Sequence, residues 1–348
     1  MGGRGVVQLA EHLEAWAGPS NGRQAVAETV FALARASAEL AELVAEGPLA
    51  GELGQVVGAS DDGDGQKALD VRANDLFLRH LQHAPVAAVA SEEMPEAVAL
   101  RGAAPIAVAM DPLDGSNNID IDAPLGTLFS LLPSERQDDP ALPFTAAGNR
   151  QLAAGCVLYG PHTVLMLTMG AGVQVFTLDR RTSEFRLTRA ALRIPEARRE
   201  YAINASNARH WSLPVRAFVE ECVAGSAGPR GVDYNMRWLG CVAADAYRVL
   251  LRGGIYLYPG DARPGYGRGR LRLAYEANPI AFLMDQAGGT ATDGFVPILE
   301  IAPHTLHQRV PLIFGSRDKV ARVVSLHLDG VPAAGQRPLF GARGLFRS

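Results

Sequence analysis

Short apolar runs of the strand type alternate with helical patterns along almost the whole chain, and no other feature constrains the fold as strongly. Residues 24–46 and 68–84 place apolar side chains at helical spacing, whereas PVAAVAS and PIAVAM are short runs rich in Val, Ile and Ala. Strand-type runs and helical patterns continue to alternate from YAINAS to the helical pattern that ends at Leu326. We therefore predict an α/β fold in alternating layers of sheets and helices.

Local patterns add detail to this prediction. A Gly/Asp run without an apolar face, at 58–67, predicts an exposed loop. Residues 155–179 predict strands joined by tight turns, and residues 275–289 predict a helix. Ser316 precedes the last helical pattern, where a serine favours the N-cap position.

The composition excludes several classes of protein. With 348 residues, of which 48% are hydrophobic and 20% charged, the chain can bury a large core. A formal net charge of -4 provides no general attraction for nucleic acids or acidic membrane surfaces, so we predict neither partner. The 3 cysteines lack metal-type spacing, and the chain has no apolar segment of export or spanning type. These features predict a cytoplasmic protein.

Acidic residues directly follow two of the predicted strands. Glu92 and Glu93 follow PVAAVAS, and Asp111 and Asp114 follow PIAVAM. If the strands are neighbours, Glu92, Asp111 and Asp114 converge, and their like charges repel unless a cation lies between them. Oxygen ligands without His or Cys select Mg²⁺ or Mn²⁺. Each motif alone is typical of an ordinary turn, but the combination predicts a metal site.

Small residues with free backbone N–H groups come next, at Gly115, Ser116, Asn117 and Asn118. Such a segment can form an anion-binding nest or the first turn of a helix, so a phosphate could bind beside the metals. Hydrolysis of a phosphate monoester requires a bridged phosphoryl oxygen, an in-line water and a neutralised leaving oxygen, which paired divalent ions supply. The pattern therefore indicates a phosphatase.

The segments SEE at 91–93 and DPLDGSNNID at 111–120 resemble the signature of class I fructose-1,6-bisphosphatases. LRLAYEANP is similar to the second acidic block of that family, and MRW and GGIYLYP are similar to its sugar-site region. The resemblance implies an αβαβα sandwich of the sugar-phosphatase type. It also implies three parts: a metal- and phosphate-binding half at 1–200, a sugar-binding half at 201–330 and a tail at 331–348.

The resemblance assigns the reacting end of the site. It implies two or more Mg²⁺ ions per subunit, replaceable by Mn²⁺, and these ligands: Glu92, Asp111, the backbone carbonyl of Leu113, Asp114 and Glu276. Glu93 would orient or deprotonate the attacking water, and Asp70, beside the loop of 58–67, would assist it. On the residues alone, an acid such as Glu276 is more typical of a helix start. Asp64 receives no role, because its loop does not align clearly.

The resemblance also assigns substrate contacts. Asp114, Gly115, Ser116 and Asn117 would bind at the reacting phosphate. Asn204, Arg237, Tyr258 and Arg270 would bind the sugar hydroxyls and the second phosphate. In relatives, the arginine at the position of Arg237 reaches the neighbouring subunit, which implies a homo-oligomer, and we expect a tetramer. On the residues alone, the segment 263–270 is a solvated basic loop or a short nucleic-acid contact, and the acidic net charge disfavours the second.

The implied function is Mg²⁺-dependent hydrolysis of the 1-phosphate of fructose 1,6-bisphosphate to fructose 6-phosphate and phosphate, in gluconeogenesis or the Calvin cycle. Arg270 stands where the family usually has Lys, and Asn207 and Trp238 stand where Tyr is common. Sedoheptulose-1,7-bisphosphatase or dual-specificity activity therefore stays open. Family members that AMP inhibits carry a Lys-Tyr pair where this chain has Pro105 and Ile106, so we expect no control by AMP. Chloroplast relatives carry regulatory cysteines in an inserted loop, whereas the segment 138–150 has none, so we expect no control by thioredoxin.

Two other classes of protein share part of this pattern. An inositol- or nucleotide-phosphate monoesterase would lack donors for a second phosphate, whereas Arg237, Tyr258 and Arg270 are present. A catalytically inactive sugar-phosphate-binding regulatory protein would be expected to lack a metal carboxylate, whereas all four are present. Both alternatives are therefore less favoured than the bisphosphatase.

Overall fold

Helices form where the sequence repeats apolar residues at helical spacing. The computed structural model describes residues 7–59, 65–135 and 139–331. Ser20 caps one long helix by accepting a hydrogen bond from the backbone N–H of Arg23 at 3.4 Å, and Gly47 ends it with φ of 53°. The α-helices of the described residues are α1 (Leu9–Ala17), α2 (Asn21–Glu46), α3 (Ala68–Leu81), α4 (Leu213–Val223), α5 (Val242–Arg252), α6 (Asn278–Gln286) and α7 (Arg317–Leu328).

A short hairpin precedes α3. Strands β1 (Val56–Ala59) and β2 (Gly65–Lys67) pair antiparallel, with Val56 opposite Lys67 and Gly58 opposite Gln66. The prediction of a loop at 58–67 is therefore wrong for its two ends, because backbone pairing orders them without an apolar face. Residues 60–64, which include Asp64, lie outside the described residues.

The first large sheet carries the acid-bearing strands near its centre. It has 8 strands in the order β10-β9-β8-β7-β6-β5-β3-β4. β3 and β5 are parallel, and the other neighbours are antiparallel. Its strands are β3 (Val86–Ser91), β4 (Val98–Ala99), β5 (Ile106–Asp114), β6 (Leu125–Pro133), β7 (Ala153–Tyr159), β8 (Val164–Thr168), β9 (Val173–Asp179) and β10 (Glu184–Leu192).

A second sheet is formed by the C-terminal part of the chain. It has 5 strands in the order β12-β11-β13-β17-β15, and a separate pair joins β14 to β16. These strands are β11 (Glu200–Ile203), β12 (Asn235–Met236), β13 (Ile255–Tyr258), β14 (Leu271–Arg272), β15 (Thr290–Thr292), β16 (Arg309–Val310) and β17 (Leu312–Gly315). The strands predicted at 155–179 and around YAINAS and GIYLYP are confirmed as β7–β9, β11 and β13.

Helices and sheets stack in layers, and apolar side chains are buried between neighbouring layers. Helices α1–α3 cover the outer face of the first sheet, where Leu33 and Phe77 share a core with Phe129. Helices α5 and α6 fill the space between the sheets, where Leu250 packs in one core with Phe314. The sheets therefore have helices between them as well as outside the first sheet.

The outer face of the second sheet is covered by α4 and α7. Phe218 and Val323 share a core with Ile255 and Leu257 of β13, whereas Tyr256 of the same strand belongs to the core between the sheets. This alternation follows from the two-residue period of a strand. The observed order of layers is the αβαβα sandwich that we predicted.

Several local predictions need correction. The strand predicted to end at Met110 continues to Asp114, because β5 keeps pairing with β6 beyond the first acid. Residues 273–277 form a π-helical turn before α6, so the helix predicted at 275–289 is regular only from Asn278. Ser316 occupies the N-cap position of α7, as predicted, but its side chain makes no capping hydrogen bond. Its Oγ instead accepts a hydrogen bond from Gly254 N at 3.2 Å and donates to the carbonyl of Pro195 at 3.3 Å.

Among the described residues, no helix combines the length and apolar character needed to cross a membrane. The predicted tail at 331–348 lies, except for Val331, outside the described residues. The division of the chain near residue 200 stays a prediction.

Candidate active site

The two predicted acid-bearing strands are neighbours. β3 and β5 pair in parallel with Ser91 opposite Met110, and the backbone N–H of Glu92 donates to the carbonyl of Met110 at 3.1 Å. Because parallel strands end at the same edge of a sheet, Glu92 and Asp111 lie side by side. The site is where the sequence predicted it.

A β-bulge separates Asp111 from Asp114. Asp111 lies opposite Leu128 and Asp114 lies opposite Gly126, with a register shift between them, so β5 contains one residue more than β6 over this stretch. In a regular strand, residues three apart point to opposite faces. The extra residue changes that alternation, and the negative charge of Asp114 contributes to raising the pKa of Asp111. Asp114 is nevertheless not one of the carboxylates that lie within 4.8 Å of one another, so its role as a metal ligand stays a prediction.

Glu276 completes the cluster from the other half of the chain. It lies in the π-helical turn at 273–277, and its Oε2 accepts a hydrogen bond from the backbone N–H of Arg272 at 2.6 Å. Carboxylate oxygens of Glu92, Asp111 and Glu276 lie within 4.8 Å of one another. Single-turn π-bulges are frequent at functional sites. The fold thus brings together three of the predicted metal ligands.

The cluster is electrostatically unfavourable without a cation. Burial, with smaller contributions from neighbouring charges, raises the pKa of Glu92 to about 7. Burial and then the charge of Glu92 raise the pKa values of Asp111 and Glu276 well above the usual range. Arg272 Nε, 3.7 Å from Glu92 Oε1, offsets part of this repulsion. Hard oxygen donors with uncompensated charge are a set that fits Mg²⁺.

Asp114 is held by the start of α5. Its Oδ2 accepts a hydrogen bond from the backbone N–H of Ala243 at 2.7 Å and another from Cys241 Sγ at 3.0 Å. Burial raises the pKa of Asp114, whereas these donors lower it. Because the positive end of a helix dipole favours a carboxylate, α5 fixes one oxygen of this side chain.

Two further acids lie beside the β1–β2 hairpin. Gln66 Nε2 donates to Glu93 Oε2 at 2.5 Å, and the backbone N–H of Lys67 donates to Asp70 Oδ2 at 2.7 Å. Asp70 Oδ1 is buried and has no hydrogen-bond partner among the residues that the structure describes. Burial raises the pKa of Asp70 to about 7, with a smaller contribution from the charge of Glu93 and against the opposing Lys67 bond. Asp70 is therefore suited to holding a proton near neutral pH, and burial also raises the pKa of Glu93.

The predicted phosphate segment forms a tight turn after Asp114. Gly115 has φ of 83° and precedes a 3-10 helix at Ser116–Ile121. A Cβ atom added to Gly115 would lie 3.1 Å from the Cβ of Cys241, so a larger residue would be strained. Asn117 is exposed in this turn, and Leu113, whose carbonyl was predicted to bind a metal, donates its N–H to Asp111 Oδ1 at 3.0 Å. Their roles remain predictions.

Three of the predicted sugar residues, Asn204, Arg237 and Tyr258, stand at the ends of strands in the second sheet, and Arg270 directly precedes β14 of the separate pair. Asn204 and Tyr258 line one pocket together with Asn207 and Tyr266. Asn204 Oδ1 already accepts hydrogen bonds from Ser206 N at 3.2 Å and Ser206 Oγ at 2.6 Å, so its NH₂ group is the donor left for a ligand.

The two predicted arginines differ in position. Arg270 is half-buried and donates from Nη1 to the hydroxyl of Tyr266 at 2.6 Å. Arg237 is exposed beside the edge strand β12 and donates from Nη1 to the carbonyl of Met236 at 3.0 Å. Neither arginine lines the pocket of Asn204, but Arg270 contacts Tyr266, which does. The proposed contact of Arg237 with a neighbouring subunit stays a prediction.

The sequence reasoning missed Arg272, Tyr266, Gln66 and Cys241. Arg272 had one available signal, because a charged residue in the apolar run LRLAY is unusual unless it is paired, and its side chain is only 5% exposed. The other three act through contacts with residues distant in the chain or in an irregular loop, which no periodic pattern reveals.

Comparisons with known families agree over both halves of the chain. A model described as "Fructose-1-6-bisphosphatase, N-terminal domain" matches residues 13–190, and one described as "Fructose-1-6-bisphosphatase, C-terminal domain" matches residues 194–328.

Individual proteins show the same similarity. A "Fructose-1,6-bisphosphatase class 1" of Rhodopseudomonas palustris (strain BisB18) is 54% identical over 97% of this chain and 98% of its own length. One of Bradyrhizobium diazoefficiens is 52% identical over 99% of each chain. The crystal structure of Leishmania major fructose-1,6-bisphosphatase in holo form superposes with a TM-score of 0.85, at 30% identity, over 92% of this chain and 99% of that one.

Proposed function

This chain belongs to the fructose-1,6-bisphosphatase family, and from that premise we propose that it hydrolyses the 1-phosphate of fructose 1,6-bisphosphate to fructose 6-phosphate and phosphate. The observation that carries the proposal is the approach of carboxylates from three elements, Glu92, Asp111 and Glu276, to within 4.8 Å of one another. Such a cluster favours cations that can bind a phosphoryl group.

We propose Mg²⁺, two or more ions per subunit, as the cofactor of this cluster. Bound Mg²⁺ would polarise the phosphoryl group and stabilise the charge of the leaving oxygen. Glu92, Asp111, Asp114 and Glu276 are the side chains that would hold it, with the carbonyl of Leu113. The fit rests on the donor set: oxygen ligands only, buried, with repelling charges that raise the pKa values of Asp111 and Glu276.

Glu93 is proposed to orient or deprotonate the attacking water, and Asp70 is proposed to assist it. Glu93 is oriented by Gln66, and Asp70 keeps a buried oxygen, Oδ1, without a hydrogen-bond partner in the described part of the chain. The pKa of about 7 at Asp70 means that this carboxyl can accept a proton and release it at neutral pH. The turn at Gly115, Ser116 and Asn117 would bind the reacting phosphate through its small side chains and N–H groups.

The other end of the substrate is proposed to bind between Asn204, Tyr258 and Arg270. The guanidinium of Arg270 supplies the charge that a second phosphate requires, and a monophosphate would leave it unused. Arg237 is proposed to complete the pocket of a neighbouring copy in a homotetramer, which fits its exposure beside an edge strand. Light scattering of the purified protein would test this assembly.

Phosphate release from the purified protein tests the function directly. We expect Mg²⁺-dependent release from fructose 1,6-bisphosphate, at a kcat/KM higher by about tenfold or more than with inositol 1-phosphate, which lacks a distal phosphate. Removal of divalent ions with EDTA should stop the reaction, and added Mg²⁺ should restore it. Equal rates with the two substrates would favour the monoesterase, and binding of the bisphosphate without turnover would favour the inactive regulatory protein.

The stability of the metal-free protein should depend on pH in a defined direction. Glu92 has a pKa of about 7 in the folded chain and an ordinary value of 4.5, so between these values the folded state binds more protons than the unfolded state. Its contribution to the free energy of unfolding therefore falls as pH rises through this window. Mg²⁺ requires the deprotonated ligands, so it should raise Tm by more at pH 8 than at pH 5.

Thermal unfolding in EDTA and in Mg²⁺ at the two pH values measures this effect. Glu276→Gln is expected to reduce the gain from Mg²⁺, because it removes one ligand. A gain in Tm that is the same at both pH values, or absent at pH 8, would contradict a metal site at these carboxylates.

A further inference from the structure

The loop between Tyr258 and Arg270 folds around Tyr266. The backbone N–H of Tyr266 donates to the carbonyl of Arg263 at 3.0 Å, and its carbonyl accepts hydrogen bonds from Gly269 N at 2.9 Å and Asp261 N at 3.1 Å. Gly269 has φ of 74°, and a Cβ atom there would lie 2.5 Å from the backbone N of Pro311. The loop is therefore closed around Tyr266 by its own hydrogen bonds, and at Gly269 its backbone approaches Pro311 closely.

The ring of Tyr266 lies close to two guanidinium groups. The guanidinium carbon of Arg263 is 4.1 Å from the ring centroid, and that of Arg270 is 4.9 Å from it. Cation–π contacts of this kind orient a planar guanidinium against the ring face. Tyr266 thus fixes the direction of the Arg270 side chain beside Tyr258.

The charge of Asp261, which also lines the pocket, is balanced within the loop. Arg263 Nε lies 3.0 Å from each carboxylate oxygen of Asp261, and Arg263 Nη2 donates to the same group. The pairing with Arg263 lowers the pKa of Asp261 and keeps it ionised. A carboxylate paired in this way repels an entering phosphate much less than a bare one would. The contacts with Tyr266 place the Arg270 guanidinium against a ring that lines the pocket.

The hydroxyl of Tyr266 has a defined role in its bond to Arg270. A guanidinium can only donate, so in the 2.6 Å bond from Arg270 Nη1 the hydroxyl oxygen is the acceptor. The hydroxyl therefore keeps its own proton for an acceptor on the pocket side, where Tyr266 and Tyr258 line the same space. A donor polarised by a neighbouring cation is well suited to an anionic oxygen.

We propose that Tyr266 is a specificity-determining residue: it positions Arg270 and donates its own hydroxyl proton to the distal phosphate of the substrate. This inference rests on the proposed function and deepens it, because it assigns the selection of bisphosphates over monophosphates to a residue of the loop at 259–270. Tyr266 is not one of the residues that we propose for the reacting phosphate.

Tyr266→Phe tests the inference, because it retains the ring and removes only the hydroxyl. We expect kcat/KM for fructose 1,6-bisphosphate, relative to that for fructose 1-phosphate, to fall about tenfold, as for loss of one hydrogen bond to a charged group. The change should appear in KM, with kcat for the bisphosphate changing less than about twofold. A role limited to folding of the loop would not separate the two substrates.

Tyr234→Phe is the matched control. Tyr234 also accepts a hydrogen bond from an arginine, Arg230 Nη1 at 3.4 Å, and its ring lies 5.2 Å from that guanidinium, but it does not line the pocket. Its substrate ratio should equal that of the unaltered protein. Calorimetric binding of fructose 6-phosphate, which carries only the distal phosphate, should weaken about tenfold in Tyr266→Phe and stay constant in Tyr234→Phe.

The binding measurement separates the two claims. Equal affinity of Tyr266→Phe and the unaltered protein for fructose 6-phosphate would overturn the inference even if the enzyme is an active bisphosphatase. Failure of the unaltered protein to release phosphate from fructose 1,6-bisphosphate, with tight binding of fructose 6-phosphate that depends on the Tyr266 hydroxyl, would overturn the proposed function and support the inference.

Discussion

Asp111→Asn is expected to lower kcat for fructose 1,6-bisphosphate by about three orders of magnitude, which corresponds to ~4 kcal/mol of lost transition-state stabilisation. Asp111 is one of the three clustered carboxylates and is 4% exposed. An amide of the same shape removes the charge that would hold Mg²⁺. Asn can still accept the hydrogen bond from Leu113 N, so the local backbone should be preserved.

The same substitution should stabilise the metal-free fold. Burial first, and then the charges of its neighbours, disfavour the ionised form of Asp111 in the folded chain, and Asn carries no charge that has to be buried or neutralised. We expect Tm at pH 8 in EDTA to rise by a few degrees, while the gain from added Mg²⁺ disappears.

Asp75→Asn is the control, because Asp75 is exposed on α3 and its loss changes the net charge equally. It should leave kcat and both Tm values unchanged. Near-normal turnover of Asp111→Asn at saturating Mg²⁺ would refute the assignment of Asp111 as a metal ligand. A Tm of metal-free Asp111→Asn below that of the unaltered protein would instead contradict the expected cost of the Asp111 charge in the folded chain.

Arg270→Ala is expected to lower kcat/KM by about one to two orders of magnitude, mainly through a higher KM. A charge-assisted hydrogen bond to a phosphate contributes roughly 1.5–3 kcal/mol, and Arg270 is oriented for this contact by the hydroxyl of Tyr266 at 2.6 Å. The loss should be similar with fructose 1,6-bisphosphate and sedoheptulose 1,7-bisphosphate, because both carry a terminal phosphate. Side-by-side values for the two sugars would also settle which one the unaltered enzyme prefers.

Arg268→Ala provides the comparison within the same loop. Arg268 is exposed, so its removal deletes an equal charge without changing the pocket. Unchanged KM values in Arg270→Ala would discard its role at the distal phosphate. A lower kcat at constant KM would place Arg270 near the transferred phosphate instead.

Much of the fold follows from short-range patterns in the sequence. Helices α2 and α3 begin and end near the predicted positions, because their apolar periodicity spans several turns and is closed by capping or glycine residues. The sequence argument assumed that β3 and β5 are neighbours, and the structure confirms this and shows that they are parallel. Given that the two strands are neighbours, the like charges of the acids at their ends predict a cation site.

The irregular backbone segments were not predicted, because they have no periodic pattern of apolar residues. The π-helical turn at 273–277 and the bulge between Asp111 and Asp114 each add one residue to a regular element, and their local residues would also fit a helix or a strand. The hairpin β1–β2 depends on pairing between two short segments, neither of which has strand periodicity.

The sequence by itself determined the family, the layered α/β fold and the acids of the reacting end, because these depend on local periodicity and on motifs of contiguous residues. Only the tertiary structure decided which side chains meet. It placed Glu276 and Arg272 against the strand-end acids, and it ordered Arg270 through Tyr266. These contacts depend on strand register, on one extra residue in β5 and on the packing of distant elements, and no local propensity encodes the direction of a side chain in space.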